Sequence, residues 1–514
     1  MPQFASRREF LHQAALAAPF LARLPRAKAA ERRFDPGFGT AREALRAMRT
    51  GVISCRELME RVYQRVHRLN PKVNAFLTLL EDQARERARQ ADEALAARRY
   101  WGALHGLPIL IKDSFSTAGV RTTCGSRLLE KHVPAEDAVA VARLKAAGAI
   151  VIGKTNLPEF ASDLQSYNAL AGTTNNPWDA GRTPGGSTGG GAAALAAGFG
   201  FLELGSDIGG SIRTPSHFCG VYGHKPTLNL VPTRGHIPPP PGAVPVVPDL
   251  NVAGPLARGA QDLLLELQTI GGPEAPAYRW SLAAPRGSRL WDYRVGYVLD
   301  DPFCPVGSDV RSALEAAVEA LRKAGVELSP GWPAGYRPQD GFDTYLRLLA
   351  AFLASGTTEE EVQLLRRSTG APWGHYAKAW LEGMELPHRR WLGHTEARLR
   401  ARAVWQEYFQ SHDAFLMPVN IVPAFPHDQK LTFFERSVAT PEGSRLYADM
   451  LKWISPATLT GCPATVAPVG RTRQGLPVGI QILGPYLEDA TAIDLAGRMA
   501  DVTGGFEAPP GFGG

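Results

Sequence analysis

No two cysteines in this chain form a CxxC pair, and no histidines show the H-E-x-x-H spacing of a zinc site. The five cysteines, Cys55, Cys124, Cys219, Cys304 and Cys462, are far apart and odd in number. They read as buried free thiols, with at most one incidental disulfide if the protein is exported. No metal site is expected. No apolar run approaches the roughly 18 residues that a membrane-spanning helix needs. No dense Lys/Arg stripe is interleaved with aromatics, so nucleic acid is not an expected partner. The formal charge of +6 is concentrated at the N-terminus, where Arg7, Arg8, Arg23, Arg26 and Lys28 face only Glu9. What the sequence does have is size: 514 residues, 44% of them hydrophobic. A soluble core of that size needs no disulfide or metal staple.

The first thirty residues read as an address. Ser6-Arg7-Arg8-Glu9-Phe10-Leu11 is followed by an Ala-rich apolar stretch over 14–24 and then Ala27-Lys28-Ala29. A charged start, an apolar middle and a small-residue cleavage site make an export signal, and the paired arginines resemble the twin-arginine type. The plainer alternative is an amphipathic first helix. The expectation is a leader over 1–29, cut after Ala29, with the working domain over 34–510 delivered to the periplasm or secreted.

Past the leader, strand and helix signals alternate. Residues 40–68 and 81–99 read as helices, broken at Asn70-Pro71. The short β-branched segment 107–112 reads as a strand ending on a lysine. A helix with Ala138, Val141 and Leu144 on one face precedes a buried strand at 149–152. A helix is expected over 189–197 and a strand over 201–204. Further along, the pattern predicts a strand at 294–299, a helix at 308–323 and mostly helix over 342–412. Strands at 415–418 and 478–483 and a helix at 488–502 complete the reading. Residues 238–248, 272–290 and 326–341 read as loops. The order predicts one large α/β unit: an α/β/α sandwich with a mixed, twisted central sheet covered by helices.

Three segments carry chemistry. Gly106-Leu107-Pro108-Ile109 leads to Lys112-Asp113; a lysine at a strand end is, taken alone, usually a solvated charge. Pro184-Gly185-Gly186-Ser187-Thr188-Gly189-Gly190-Gly191 is so rich in glycine that its backbone must turn sharply or approach something closely. Gly205-Ser206-Asp207-Ile208-Gly209-Gly210-Ser211-Ile212-Arg213 delivers a serine just after a strand. N–H groups in such a turn can converge on one point, as an oxyanion requires.

Together these segments resemble the amidase signature family. Similarity extends to Gly153-Lys154-Thr155-Asn156, Asn176-Pro177-Trp178, Phe218-Cys219-Gly220, Lys225-Pro226-Thr227, Gly254-Pro255-Leu256-Ala257-Arg258 and Pro477-Val478-Gly479-Ile480-Gln481, and is weakest over about 272–440. The resemblance implies Ser211 as nucleophile, Ser187 after a cis peptide as proton relay, and Lys112 as base. It implies an oxyanion hole from the N–H groups of Ile208, Gly209, Gly210 and Ser211, and no cofactor. Thr188 stands where the family often has serine, and Ile208 where threonine is common. His217 and His224 stand where smaller or apolar residues are usual and read as packing residues.

The chemistry makes one demand. A lysine with its ordinary pKa near 10.4 is charged at neutral pH, and only the neutral amine is a base. Burial must lower it. Asp113 would oppose this if it were close, but adjacent strand residues point to opposite faces. The expected activity is hydrolysis of a small-molecule or peptide carboxamide. The alternatives are the glutaminase subunit of a tRNA-dependent amidotransferase, or a non-catalytic binding protein on the same scaffold. Gly185-Gly186-Ser187-Thr188-Gly189 also matches the G-x-S-x-G elbow of α/β-hydrolases, but Thr183-Pro184 argues against the strand that this elbow needs. Trp373, Tyr376, Trp380 and Trp391 suggest an apolar acyl pocket, or simply pack helices.

Overall fold

Three parallel strands set the frame of the sheet. Strand β2 (Pro108–Lys112) lies between β3 (Ile150–Thr155) and β4 (Leu202–Asp207), parallel to both. All three are buried along their whole length; β2 and the start of β3 are apolar runs, whereas β4 buries Glu203, Ser206 and Asp207. The computed structural model describes residues 34–237, 248–274 and 280–513. The leader over 1–29 and most of the loop expected at 238–248 lie outside these residues, as do 275–279 within the loop expected at 272–290.

Eight more strands complete the sheet: β1 (Phe76–Leu79), β5 (Tyr222–Lys225), β6 (Val252–Ala257), β7 (Arg294–Tyr297), β8 (Glu327–Pro330), β9 (Ala414–Pro418), β10 (Ala464–Arg471) and β11 (Pro477–Leu483). Their order is β1-β3-β2-β4-β6-β5-β10-β11-β9-β7-β8. The sheet is mixed. Antiparallel pairing runs from β4 through β6, β5, β10 and β11 to β9, and parallel pairing returns at β9-β7-β8. Helices cover it, among them Ala260–Ile270, Ser308–Lys323 and Asp489–Thr503. Ser308–Lys323 buries Val310, Leu314, Val318 and Leu321 from one stripe. This is the expected α/β/α sandwich, and Pro36–Gly514 form one compact unit.

Three local expectations need correction. The helix expected over 40–68 is two helices, Ala41–Arg49 and Cys55–Val73, each opened by a reciprocal capping box, Thr40 with Glu43 and Ser54 with Glu57. The second helix runs through Pro71 and ends at Asn74 in the left-handed conformation; in a last turn the missing proline N–H removes only one bond. Residues 327–330 within the expected loop 326–341 form edge strand β8. All five cysteines are free and buried, and among the described residues no helix is long and apolar enough to cross a membrane.

Candidate active site

Lys112 ends β2 beside Ser206 on β4, at the carboxyl ends of parallel strands, where a crevice for a ligand naturally forms. Two short helices follow the glycine-rich segments. Ser187 precedes the helix Gly189–Ala196, and Ser211 precedes the helix Arg213–Cys219. The Thr188 N–H donates to the Ser211 carbonyl at 3.2 Å, which ties the two serine segments together. The glycines are needed for close approach: a Cβ at Gly190 would stand 2.4 Å from the Asn156 backbone. Gly210 takes φ +93°, which strains any other residue. The Gly186–Ser187 peptide is cis. The described residues just before Ser187 form no strand, so the α/β-hydrolase elbow is not formed.

Lys112 is fully buried, and its Nζ meets three hydroxyls: Ser187 Oγ at 2.7 Å, Ser206 Oγ at 3.0 Å and Thr188 Oγ1 at 3.1 Å. Burial drives its pKa down to about 7, against the opposing pull of Cys124, Glu203 and Asp207. Neither carboxyl holds a proton on the amine. Glu203 is itself pushed up to about 8 by burial, so it is mostly protonated at neutral pH. Asp207 is committed elsewhere: the buried Arg213 guanidinium grips its carboxylate at 2.7 and 3.0 Å. Burial raises the Asp207 pKa, but the charge and hydrogen bonds of Arg213 outweigh it and the net shift is downward.

Asp207 also orders the loop that leads to Ser211. Its carboxylate accepts N–H bonds from Gly210 (3.0 Å), Ile212 (3.1 Å) and Arg213 (3.3 Å). This corrects the four-donor expectation. The Gly210 N–H is already taken, whereas the N–H groups of Ile208, Gly209 and Ser211 have no hydrogen-bond partner among the described residues. Ser206, Asp207 and Arg213 stand in the motif, yet the sequence assigns them no role. The available signal is an acid at the end of an otherwise buried strand, six residues before an arginine; such a charge needs a partner.

Asp113 turns away from Lys112, as expected. Its carboxylate accepts from the Thr123 N–H at 2.8 Å and Oγ1 at 2.6 Å, and lies 3.4 Å from Lys154 Nζ. His217 and His224 make their bonds elsewhere. His217 Nδ1 accepts from the Gly479 N–H at 2.8 Å, and His224 lies between Thr465 Oγ1 and Asp489 Oδ1. Burial lowers both imidazole pKa values, that of His217 to about 4. Trp373, Tyr376 and Trp380, on the helix Gly374–Met384 and its N-cap, gather around Phe434 in a turn. Trp391 stands apart from them, stacked on His388.

The amidase family model matches residues 57–493, and the chain belongs to that family. A glutamyl-tRNA(Gln) amidotransferase subunit from Thermus thermophilus is 34% identical over 88% of this chain and 95% of that protein. Its counterpart in a Synechococcus strain is 33% identical over 88% and 94%. Among solved structures, one described as an amidase is 28% identical, with a TM-score of 0.73 over 90% of this chain and 99% of that one. The corresponding amidotransferase subunit from Thermotoga maritima is 26% identical, with a TM-score of 0.72 over 93% and 98%.

Proposed function

We propose that this protein hydrolyses a carboxamide C–N bond through an acyl-enzyme on Ser211, with Ser187 as proton relay and Lys112 as base. The observation that supports this most is the 2.7 Å contact between Lys112 Nζ and Ser187 Oγ, made by a fully buried amine whose pKa burial lowers to about 7. A serine hydroxyl accepts and donates at once, so Ser187 takes the Ser211 proton while passing its own to Lys112. Ser211 Oγ bonds to the carbonyl carbon, and the Ile208, Gly209 and Ser211 N–H groups receive the oxyanion. The proton returns through Ser187 to the leaving nitrogen as the C–N bond breaks. Water then releases the acid from Ser211. The test is Ser211→Ala assayed on a panel of short, aryl, peptide and long-chain amides together with glutamine. Loss of all turnover is expected, and activity equal to the wild type overturns the reading.

A second reading concerns which amide is cut. The likeness to glutamyl-tRNA(Gln) amidotransferase subunits supports glutamine, with the protein working as one member of an assembly, more directly than it supports a free-standing hydrolase. Glutamine turnover that rises when partner chains are added favours the assembly. Turnover of other amides by the chain alone favours the hydrolase. Residues 1–29 bear on the same choice. Export through a twin-arginine leader would separate the chain from cytosolic tRNA, and N-terminal sequencing of protein recovered from the periplasm tests it.

A further inference from the structure

The helix Pro338–Leu353 reaches the nucleophile loop from the part of the chain where family resemblance is weakest. Its Tyr345 is fully buried, and the phenol donates to the Ile208 carbonyl at 3.0 Å. Ile208 opens the loop that leads to Ser211. In a planar trans peptide the C=O of one residue and the N–H of the next point in opposite directions. Holding the Ile208 carbonyl therefore aims the Gly209 N–H away from Tyr345. The neighbouring donor is fixed by the same logic: the Gly210 carbonyl accepts from the Thr214 N–H at 2.7 Å, which aims the Ser211 N–H.

Among the described residues, no other hydrogen bond holds the Ile208–Gly209 peptide. Glycine on one side allows the peptide plane to flip, and a Cβ there would meet only Leu451 Cδ2 at 3.4 Å and Tyr345 Oη at 3.8 Å. The Tyr345 ring, by contrast, is set in a packed aromatic cluster. Its centroid lies 6.2 Å from that of Phe342, which meets Tyr376 edge-on at 6.1 Å. Burial raises the phenol pKa, so the hydroxyl stays a neutral donor.

We propose that Tyr345 is a positioning residue for the oxyanion hole, holding the Ile208 carbonyl so that the Gly209 N–H stays aimed at the developing oxyanion. The proposal rests on the acyl-enzyme reading of Ser211. It assigns to the variable helical region a part in turnover and not only in substrate choice.

The test is Tyr345→Phe, which keeps the ring and removes only the hydroxyl. Loosening one oxyanion donor should lower kcat on the best amide of the panel about tenfold, less than the loss of a donor outright. KM should stay within about twofold, since Tyr345 acts in the transition state and not on bound substrate. The rate at which a fluorophosphonate labels Ser211 should fall in parallel, because its P=O oxygen occupies the same hole. The pH midpoint should not move. Placing 4-aminophenylalanine at 345 returns an N–H donor to the same ring and should restore both rates, which a folding defect would not allow. Unchanged kcat and labelling overturn the proposal, and so does a raised KM at unchanged kcat, the mark of direct substrate contact. If Ser211→Ala keeps full activity, the underlying acyl-enzyme reading fails instead.

Discussion

Lys112 and Asp113 are neighbours in the chain but belong to separate buried networks. The amine of Lys112 is ringed by Ser187, Thr188 and Ser206, while the carboxylate of Asp113 faces Thr123 and Lys154. The alternation of strand side chains keeps the Asp113 carboxylate from holding the Lys112 amine in its charged form. Lys154 also donates to the Phe115 carbonyl at 2.7 Å and Thr122 Oγ1 at 2.8 Å, so the second network is anchored without Lys112.

The identity of the nucleophile has a direct chemical check. A fluorophosphonate should modify Ser211, and peptide mapping should find the label there and not on Ser187. Label on Ser187 would reverse the two serine roles, and no label on either would favour a non-catalytic scaffold.

Lys112 should also be a liability to stability. Its folded pKa, near 7, lies below the value of about 10.5 in the unfolded chain. Between these values the unfolded chain binds more protons, so stability rises with pH across that window, and the full penalty applies below it. Lys112→Met removes the penalty. The variant should be inactive yet more stable, with a gain about 2–3 kcal/mol larger at pH 6 than at pH 9. Urea denaturation at the two pH values measures this; an equal gain at both would mean that the lysine is not depressed.

Asp207 and Arg213 form a fully buried pair that anchors the loop leading to Ser211. Asp207→Asn leaves the guanidinium uncompensated and should cost about 3–5 kcal/mol of stability. On the proposed mechanism, turnover of the folded fraction should fall at least about tenfold, because the loop proposed to carry the oxyanion donors loses its anchor. Denaturant melts and active-site titration separate the two effects.

Neither buried histidine should set the pH profile. His217→Asn and His224→Gln are expected to lower stability, since each ring satisfies buried backbone or carboxylate groups. The activity midpoint near pH 7 should stay where it is. A shifted midpoint in either variant would make that histidine a participant.

The sandwich is legible in the sequence because its signals are local, whereas the Lys112–Ser187 pairing spans 75 residues and is legible only through the resemblance to the amidase signature family. Strands β2 and β3 begin as short apolar runs, and the two Gly-Gly-Ser segments stand out by composition. Central strands β5, β6 and β10 escape such a reading. Tyr222–Lys225 is short and polar, Val252–Ala257 carries Gly254 and Pro255, and Ala464–Arg471 is built largely of small residues, so none shows a clear period. Tyr345 is invisible for a different reason. Its partner Ile208 is 137 residues away, and the bond goes to a backbone carbonyl that no side-chain pattern marks.

The most direct measurement is kcat/KM as a function of pH for the wild type and for Lys112→Ala. The wild type should rise about tenfold per pH unit on the acid side and level off above about 7, as the amine loses its proton. Lys112→Ala should lose about two to four orders of magnitude at neutral pH, and with them that rising limb. A wild-type profile that is flat through neutrality, or a variant as active as the wild type at pH 7, would contradict the account.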